Sequence, residues 1–151
     1  MTKQGYQLID SGEGRKLERF GDWVLDRPAS QAIWPKSLSA KEWKQAHARF
    51  KRLNEKEGNW QYFQKIPHQW IIEIEDIKLK ISPTPFGHLG IFPEHLSTWP
   101  WLTKSIQDHP NKTPKVLNLF AYSGAGTMAC SSAGAHTVHL DASKPMVQWA
   151  K

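Results

Sequence analysis

At 151 residues the chain has room for one ordinary domain or two small ones, and 39% hydrophobic with 23% charged residues excludes a disordered or fibrous class. Its single cysteine, Cys130, excludes an internal disulfide and favours a reducing compartment; with no secretory apolar segment in residues 1–20 and no apolar run long enough for a bilayer, a cytoplasmic protein without a membrane partner is expected. Twenty Lys+Arg against fourteen Asp+Glu give +6, a field that draws the chain only weakly toward nucleic acid because the charges are dispersed.

Residues 6–34 read as a hairpin followed by another strand: Tyr6, Leu8, Leu17, Phe20, Trp23 and Leu25 are interrupted by the turn-forming Asp10 to Gly14. Ser39-Ala-Lys-Glu42 matches a capping box, and Trp43, Ala46, Phe50 and Leu53 follow at helical spacing; this predicts a helix over 40–55, stopped by Gly58. Trp70 to Glu75 and the strictly alternating Ile77 to Ile81 predict two strands around a tight turn at Asp76. Strands, helix and strands sum to a small α+β domain over 1–83. A connecting loop and short helix are expected over 84–112, with glycine pivots at Gly87 and Gly90 and a helix restart at Pro100.

The character changes at 113. Val116 to Ala121 is a nearly continuous apolar run, the mark of a strand covered on both faces. A glycine turn follows in Tyr122-Ser-Gly124-Ala-Gly126. A helix over Thr127 to Ala133 then ends at Gly134, and a strand of Thr137 to Leu140 ends in Asp141. Ser143 is placed to cap one more helix. In this order glycines let backbone approach a ligand, a helix start offers unpaired N–H groups, and a strand-terminal carboxylate accepts from both ribose hydroxyls. The site therefore suits a cofactor containing adenosine. Gly124-Ala-Gly126-Thr-Met-Ala129 also satisfies the dinucleotide pattern G-x-G-x-x-G/A, so a nicotinamide cofactor stays open beside S-adenosyl-L-methionine. Asn118 and Tyr122, polar groups flanking the turn, suit a zwitterionic methionine tail at least as well as a pyrophosphate.

The run Val116-Leu-Asn-Leu-Phe-Ala-Tyr-Ser-Gly-Ala-Gly-Thr127 with Val138-His-Leu-Asp-Ala-Ser-Lys144 resembles motif I and the acidic strand end of class I S-adenosylmethionine-dependent methyltransferases. It is most similar to the family of large-subunit ribosomal RNA cytosine-5 methyltransferases. Gly14 to Pro28 and Phe86 to Glu94 resemble further blocks of bacterial members, so the resemblance spans nearly the whole chain. It implies an α/β fold: the start of a Rossmann-like methyltransferase sheet over 113–151, truncated, preceded by the α+β domain. It also implies an enzyme acting on ribosomal RNA with S-adenosyl-L-methionine as cofactor. By that resemblance the loop around Phe92 to His95 lies over the cofactor. Phe120, Ala121, Tyr122, Ser123, Gly124, Gly126 and Thr127, with Asn118, hold its methionine part, and Asp141, Ala142 and Ser143 its ribose side. Where the family has Gln after Phe92-Pro-Glu, this sequence has His95.

No catalytic residue is assigned. The resemblance implies that the acceptor-side loop and the attacking cysteine lie outside these residues; Cys130, within the first helix, reads as a buried small side chain. The chain alone is expected to transfer no methyl group and to self-associate through an exposed strand edge. The seven histidines form no ligand cluster, so no metal is expected. Arg15, Lys16, Arg19 and Arg27 with Trp23 and Trp34 form either an RNA-contacting face or a solvated hairpin around core tryptophans. Two other functions remain open: a fragment of an NAD(P)-dependent oxidoreductase, and a non-catalytic RNA-binding module built on 1–83.

Overall fold

The computed structural model describes residues 5–54 and 57–151. Two compact units make up the chain, Met1–Leu89 and Gly90–Lys151.

In the first unit β1 (Tyr6–Gly12), β2 (Arg15–Phe20), β3 (Trp23–Pro28), β4 (Ala48–Arg52) and β5 (Gly58–Tyr62) form one sheet in sequence order. The pairings are antiparallel except β3 with β4, which run parallel with Leu25 opposite Ala48. Glu13 and Gly14 both take positive φ, the backbone a two-residue hairpin turn needs to match strand twist. β6 (Trp70–Ile74) and β7 (Ile77–Ile81) form a separate hairpin, turned through Glu75 and Asp76, again both at positive φ.

The central strands are covered on both faces. Leu17 and Val24 pack with Trp43 and Ala46 on one side. Strand alternation puts Glu18, Phe20, Leu25 and Arg27 on the other, toward the 70–89 segment: the Trp70 indole donates to the Phe20 carbonyl, and Arg27 donates to that of Gly87. Buried carboxylates sit within these layers. Glu18 accepts from Arg27 at 2.8 Å and from the Tyr6 hydroxyl at 3.0 Å, with Lys16 at 3.2 Å; Asp26 lies between Arg15 and Arg49. Burial opposes the ionisation of Asp10, but N–H donors from Leu38, the Trp43 indole, Ser37 and Ser11 outweigh it and hold its pKa below the usual value. Arg15, Lys16 and Arg27 therefore serve ion pairs within the sheet.

The helix expected over 40–55 is confined to one turn, α1 (Ala40–Trp43); position 55 lies outside the described residues. Its capping box is present as expected. After Trp43 the chain turns, His47 donates its N–H to the Val24 carbonyl, and Ala48 and Phe50 enter the sheet at a period of two. Of the four apolar positions at helical spacing, Trp43 ends the turn of helix, Ala46 sits in the connection and Phe50 serves a strand with Ala48, because sheet pairing on both sides of β4 outweighs local propensity. Gly58 does not stop a helix but opens β5. A Cβ there would stand 2.3 Å from the Phe50 ring and 2.5 Å from the Lys51 carbonyl, so only glycine admits this close strand approach.

In the second unit a 3-10 turn (Pro93–Thr98) leads into α2 (Trp99–Gln107), with Pro100 in its first turn. β8 (Lys115–Leu119), α3 (Ala125–Ser132) and β9 (His136–Leu140) form a parallel βαβ unit, and α4 (Lys144–Ala150) follows. No helix among the described residues is long and apolar enough to cross a membrane. The apolar run of β8 was expected to be covered twice. Instead α3 covers the Val116–Asn118 side, while Leu117 and Leu119, with Val138 and Leu140 beside them in register, remain open to solvent.

Candidate functional site

The site grows from the turn between β8 and α3. Phe120, Tyr122 and Gly124 have φ of 54°, 51° and 92°, all in the left-handed region where bulky side chains are strained. Neighbouring backbone holds them there. The Ala121 N–H donates to the Leu140 carbonyl at 3.0 Å, and the Gly124 N–H to that of Ala121 at 2.9 Å. The end of β9 supplies the third restraint: Asp141 accepts the Tyr122 N–H at 2.8 Å on one oxygen and the Ser143 N–H at 2.7 Å on the other. Those two donors, Ser143 first, lower the Asp141 pKa; burial opposes them, and nearby His139 adds to the lowering. Ser143 begins α4 without a side-chain cap, its own N–H being held by Asp141 instead.

The loop before the 3-10 turn closes over this bend. Ser123 donates its hydroxyl to the Gly90 carbonyl, and the Phe92 and Tyr122 rings meet with centroids 4.7 Å apart. Between them lies a cavity of about 460 Å³, walled by Phe92, Asn118, Phe120, Tyr122 and Gly126 and, from the helical side, by Trp99. Ala121 and Ser123 also line it. A Cβ at Gly126 would stand 3.4 Å from the Asn118 amide, at van der Waals contact. The Gly126 backbone and that of Ala125 open α3 onto the cavity, giving N–H groups and the positive end of the helix.

Seven of the twelve residues singled out from the sequence thus line one cavity. Gly124 and Thr127 line a second, of about 310 Å³, with Met128, His139 and Val147. Asp141, Ala142 and Ser143 line neither; the Asp141 carboxylate reaches the turn through Tyr122. His95, at the end of the loop expected over the cofactor, lines the cavity too, and sequence reasoning missed Thr98, Trp99 and Leu102. Trp99 and Leu102, three apart at the start of a helix, were the available signal. Cys130 is buried, and burial pushes its thiol up, away from the reactive thiolate. Among the described residues no group of three or more His, Cys, Asp or Glu could hold a metal.

Chemically the cavity offers aromatic walls, one amide and a helix start, with no Lys or Arg among the described residues that line it, and the Asp141 carboxylate holds the turn from outside the lining. Such a surface suits a flat aromatic ring, a ribose and a charged tail of mixed sign better than a pyrophosphate.

No family model matches the chain. It is 26% identical over 137 residues to a ribosomal RNA large subunit methyltransferase K/L of Shewanella frigidimarina, an alignment covering 88% of this chain and 17% of the relative. Its structure is similar to that of an S-adenosylmethionine-dependent methyltransferase from Agrobacterium tumefaciens, with TM-score 0.88 and 35% identity over 97% of this chain and 46% of the other. A protein described as a methyltransferase, SMU.776, complexed with SAH shares the fold at TM-score 0.69 and 18% identity, over 99% of this chain and 41% of that one. The chain therefore spans less than half the length of these relatives, and nearly all of it resembles them.

Proposed function

We propose that this chain carries the cofactor-binding site of an S-adenosyl-L-methionine-dependent methyltransferase that acts on ribosomal RNA in the cytoplasm. The observation that carries the reading is the bend itself: a strained glycine turn, a helix start and a strand-terminal carboxylate brought together beside one aromatic cavity. The likeness to the Agrobacterium methyltransferase, at 35% identity, supports the cofactor assignment; the ribosomal RNA relative supports the substrate. When bound, the cofactor supplies a methyl group activated by its sulfonium. The turn Phe120 to Thr127 would receive its amino-acid end, Asp141 its ribose hydroxyls, and the Phe92 and Trp99 rings would exclude water. In this reading residues 1–83 contact the RNA, 84–112 connect, and 113–151 bind the cofactor. The lone cysteine suits a reducing compartment. Neither an NAD(P)-dependent oxidoreductase nor a non-catalytic RNA-binding module is favoured by the relatives.

Calorimetric titration tests the reading. Saturable binding of S-adenosylhomocysteine without binding of NAD is expected; the reverse preference, or no binding of either, refutes it. The chain by itself is expected to bind without transferring a methyl group. It is also expected to self-associate, because the face formed by Leu117, Leu119, Val138 and Leu140 is apolar and open, and β8 and β9 pair only with each other among the described residues. Sedimentation velocity should show an average mass that rises with concentration and falls back in a Leu117→Lys, Leu140→Lys variant. A monomer at every concentration contradicts this.

A further inference from the structure

Beneath the cavity a three-residue hydrogen-bond chain links its amide to a histidine that does not line it. Asn118 on β8 and His139 on β9 are register partners, and Thr127 on α3 lies over both. The Asn118 amide nitrogen donates to the Thr127 hydroxyl oxygen at 2.9 Å, and that oxygen lies 3.0 Å from His139 Nδ1. His139 Nε2 is buried with no partner among the described residues, and the ring packs on Gly124, where an added Cβ would stand 3.6 Å from Nδ1.

The proton inventory of these groups allows few arrangements. A hydroxyl has one proton and two lone pairs. With Asn118 donating to Thr127 and that proton going to a bare His139 Nδ1, the ring keeps its own proton on Nε2, every proton between the three side chains is used, and the Asn118 carbonyl oxygen is left for a ligand. With the ring proton on Nδ1 instead, Thr127 accepts from the ring, its own proton is free to go to Asn118, and the amide can turn its NH₂ group outward. A bare Nδ1 on His139 thus favours an acceptor at the cavity.

We propose that His139 is a positioning residue: through Thr127 it holds Asn118 as a hydrogen-bond acceptor for the ammonium group of the ligand's amino-acid end. This rests on the cofactor reading above and goes beyond it, because His139 touches no part of the larger cavity. The arrangement also explains why these polar side chains are tolerated between two strands under a helix, since the Asn118 amide nitrogen, the Thr127 hydroxyl and His139 Nδ1 are satisfied from within.

Two measurements on the full chain test it. Long-range ¹H–¹⁵N spectra of the histidine rings, with the His139 signal identified by its loss in His139→Asn, should show the Nε2–H tautomer. An Nδ1–H tautomer overturns the proposal. Calorimetry should then show His139→Phe weakening S-adenosylhomocysteine by about tenfold, as for the loss of one charge-assisted hydrogen bond, with 5′-methylthioadenosine, which lacks the amino-acid end, unaffected. His139→Asn places an oxygen where Nδ1 stands and should restore much of the affinity. Equal loss for both ligands, or no loss for either, overturns the proposal while the cofactor reading survives. If the unaltered chain binds no S-adenosylhomocysteine, the cofactor reading falls and this inference falls with it.

Discussion

Glu18→Ala should destabilise the first unit by about 3–5 kcal/mol, the usual consequence of leaving a buried charge without its partner. Glu18 is fully buried and collects Arg27, Lys16 and the Tyr6 hydroxyl. Arg27 is nearly as buried, and without Glu18 it retains the Gly87 carbonyl. Water cannot readily replace the lost carboxylate there, so the cost is desolvation rather than the modest loss of a surface pair. Chemical denaturation should show a lower midpoint at unchanged slope, and the melting temperature should fall by about 15–30 °C for a unit of this size. A double replacement, Glu18→Leu with Arg27→Met, should recover a large part of the loss, because both buried charges are then gone. A Glu18→Ala loss below about 1 kcal/mol would show that the pair is solvated and contradict the burial described.

Asp141→Ala should reduce S-adenosylhomocysteine affinity by about 100-fold or more, the effect of two hydrogen bonds to a charged acceptor. The carboxylate has two tasks. It ties the Tyr122 and Ser143 N–H groups, fixing the bend to the end of β9, and its remaining lone pairs face a ribose in the proposed complex. Asp141→Asn keeps one acceptor oxygen and should lose less. The Ser143 and Tyr122 donors lower the carboxyl pKa, so the group is ionised from neutral to mildly acidic pH. A lowered carboxylate contributes fully above its unfolded value, and the contribution is lost as pH falls through the folded one. Affinity should therefore hold across the neutral range and decline only below the ordinary carboxylate range. Unchanged calorimetric affinity in Asp141→Ala would remove the carboxylate from the site.

The second unit was the more legible in sequence because its elements are specified locally. The glycines, the flanking apolar strands and the strand-end acid each act within a few residues of their neighbours, and β8, α3 and β9 follow in the expected order. What the sequence did not reveal depends on distant partners. Ala48 and Phe50 join a strand because β3 and β5 offer ladders on both sides, which helical spacing alone does not disclose. β5 itself, Gly58–Tyr62, went unread; Trp60 and Tyr62 at a period of two were its signal. The ion pairing of the basic stripe went unread for a similar reason, since its counter-charges, Glu18 and Asp26, lie in the same strands and fold inward with it. Thr98 and the helical wall of the cavity escaped because their role follows from where a loop returns, not from their own pattern.

The left-handed pair at Phe120 and Tyr122 also bears on how a ligand is received. Each such residue costs about 1–3 kcal/mol, and the hydrogen bonds that the Ala121, Tyr122 and Gly124 N–H groups make within the chain hold the bend against that cost. The shape of the bend is thus fixed by the fold, so little ordering of this segment accompanies association, and the energy of contact goes into affinity instead. A glycine at either position would relieve the strain and give up that readiness.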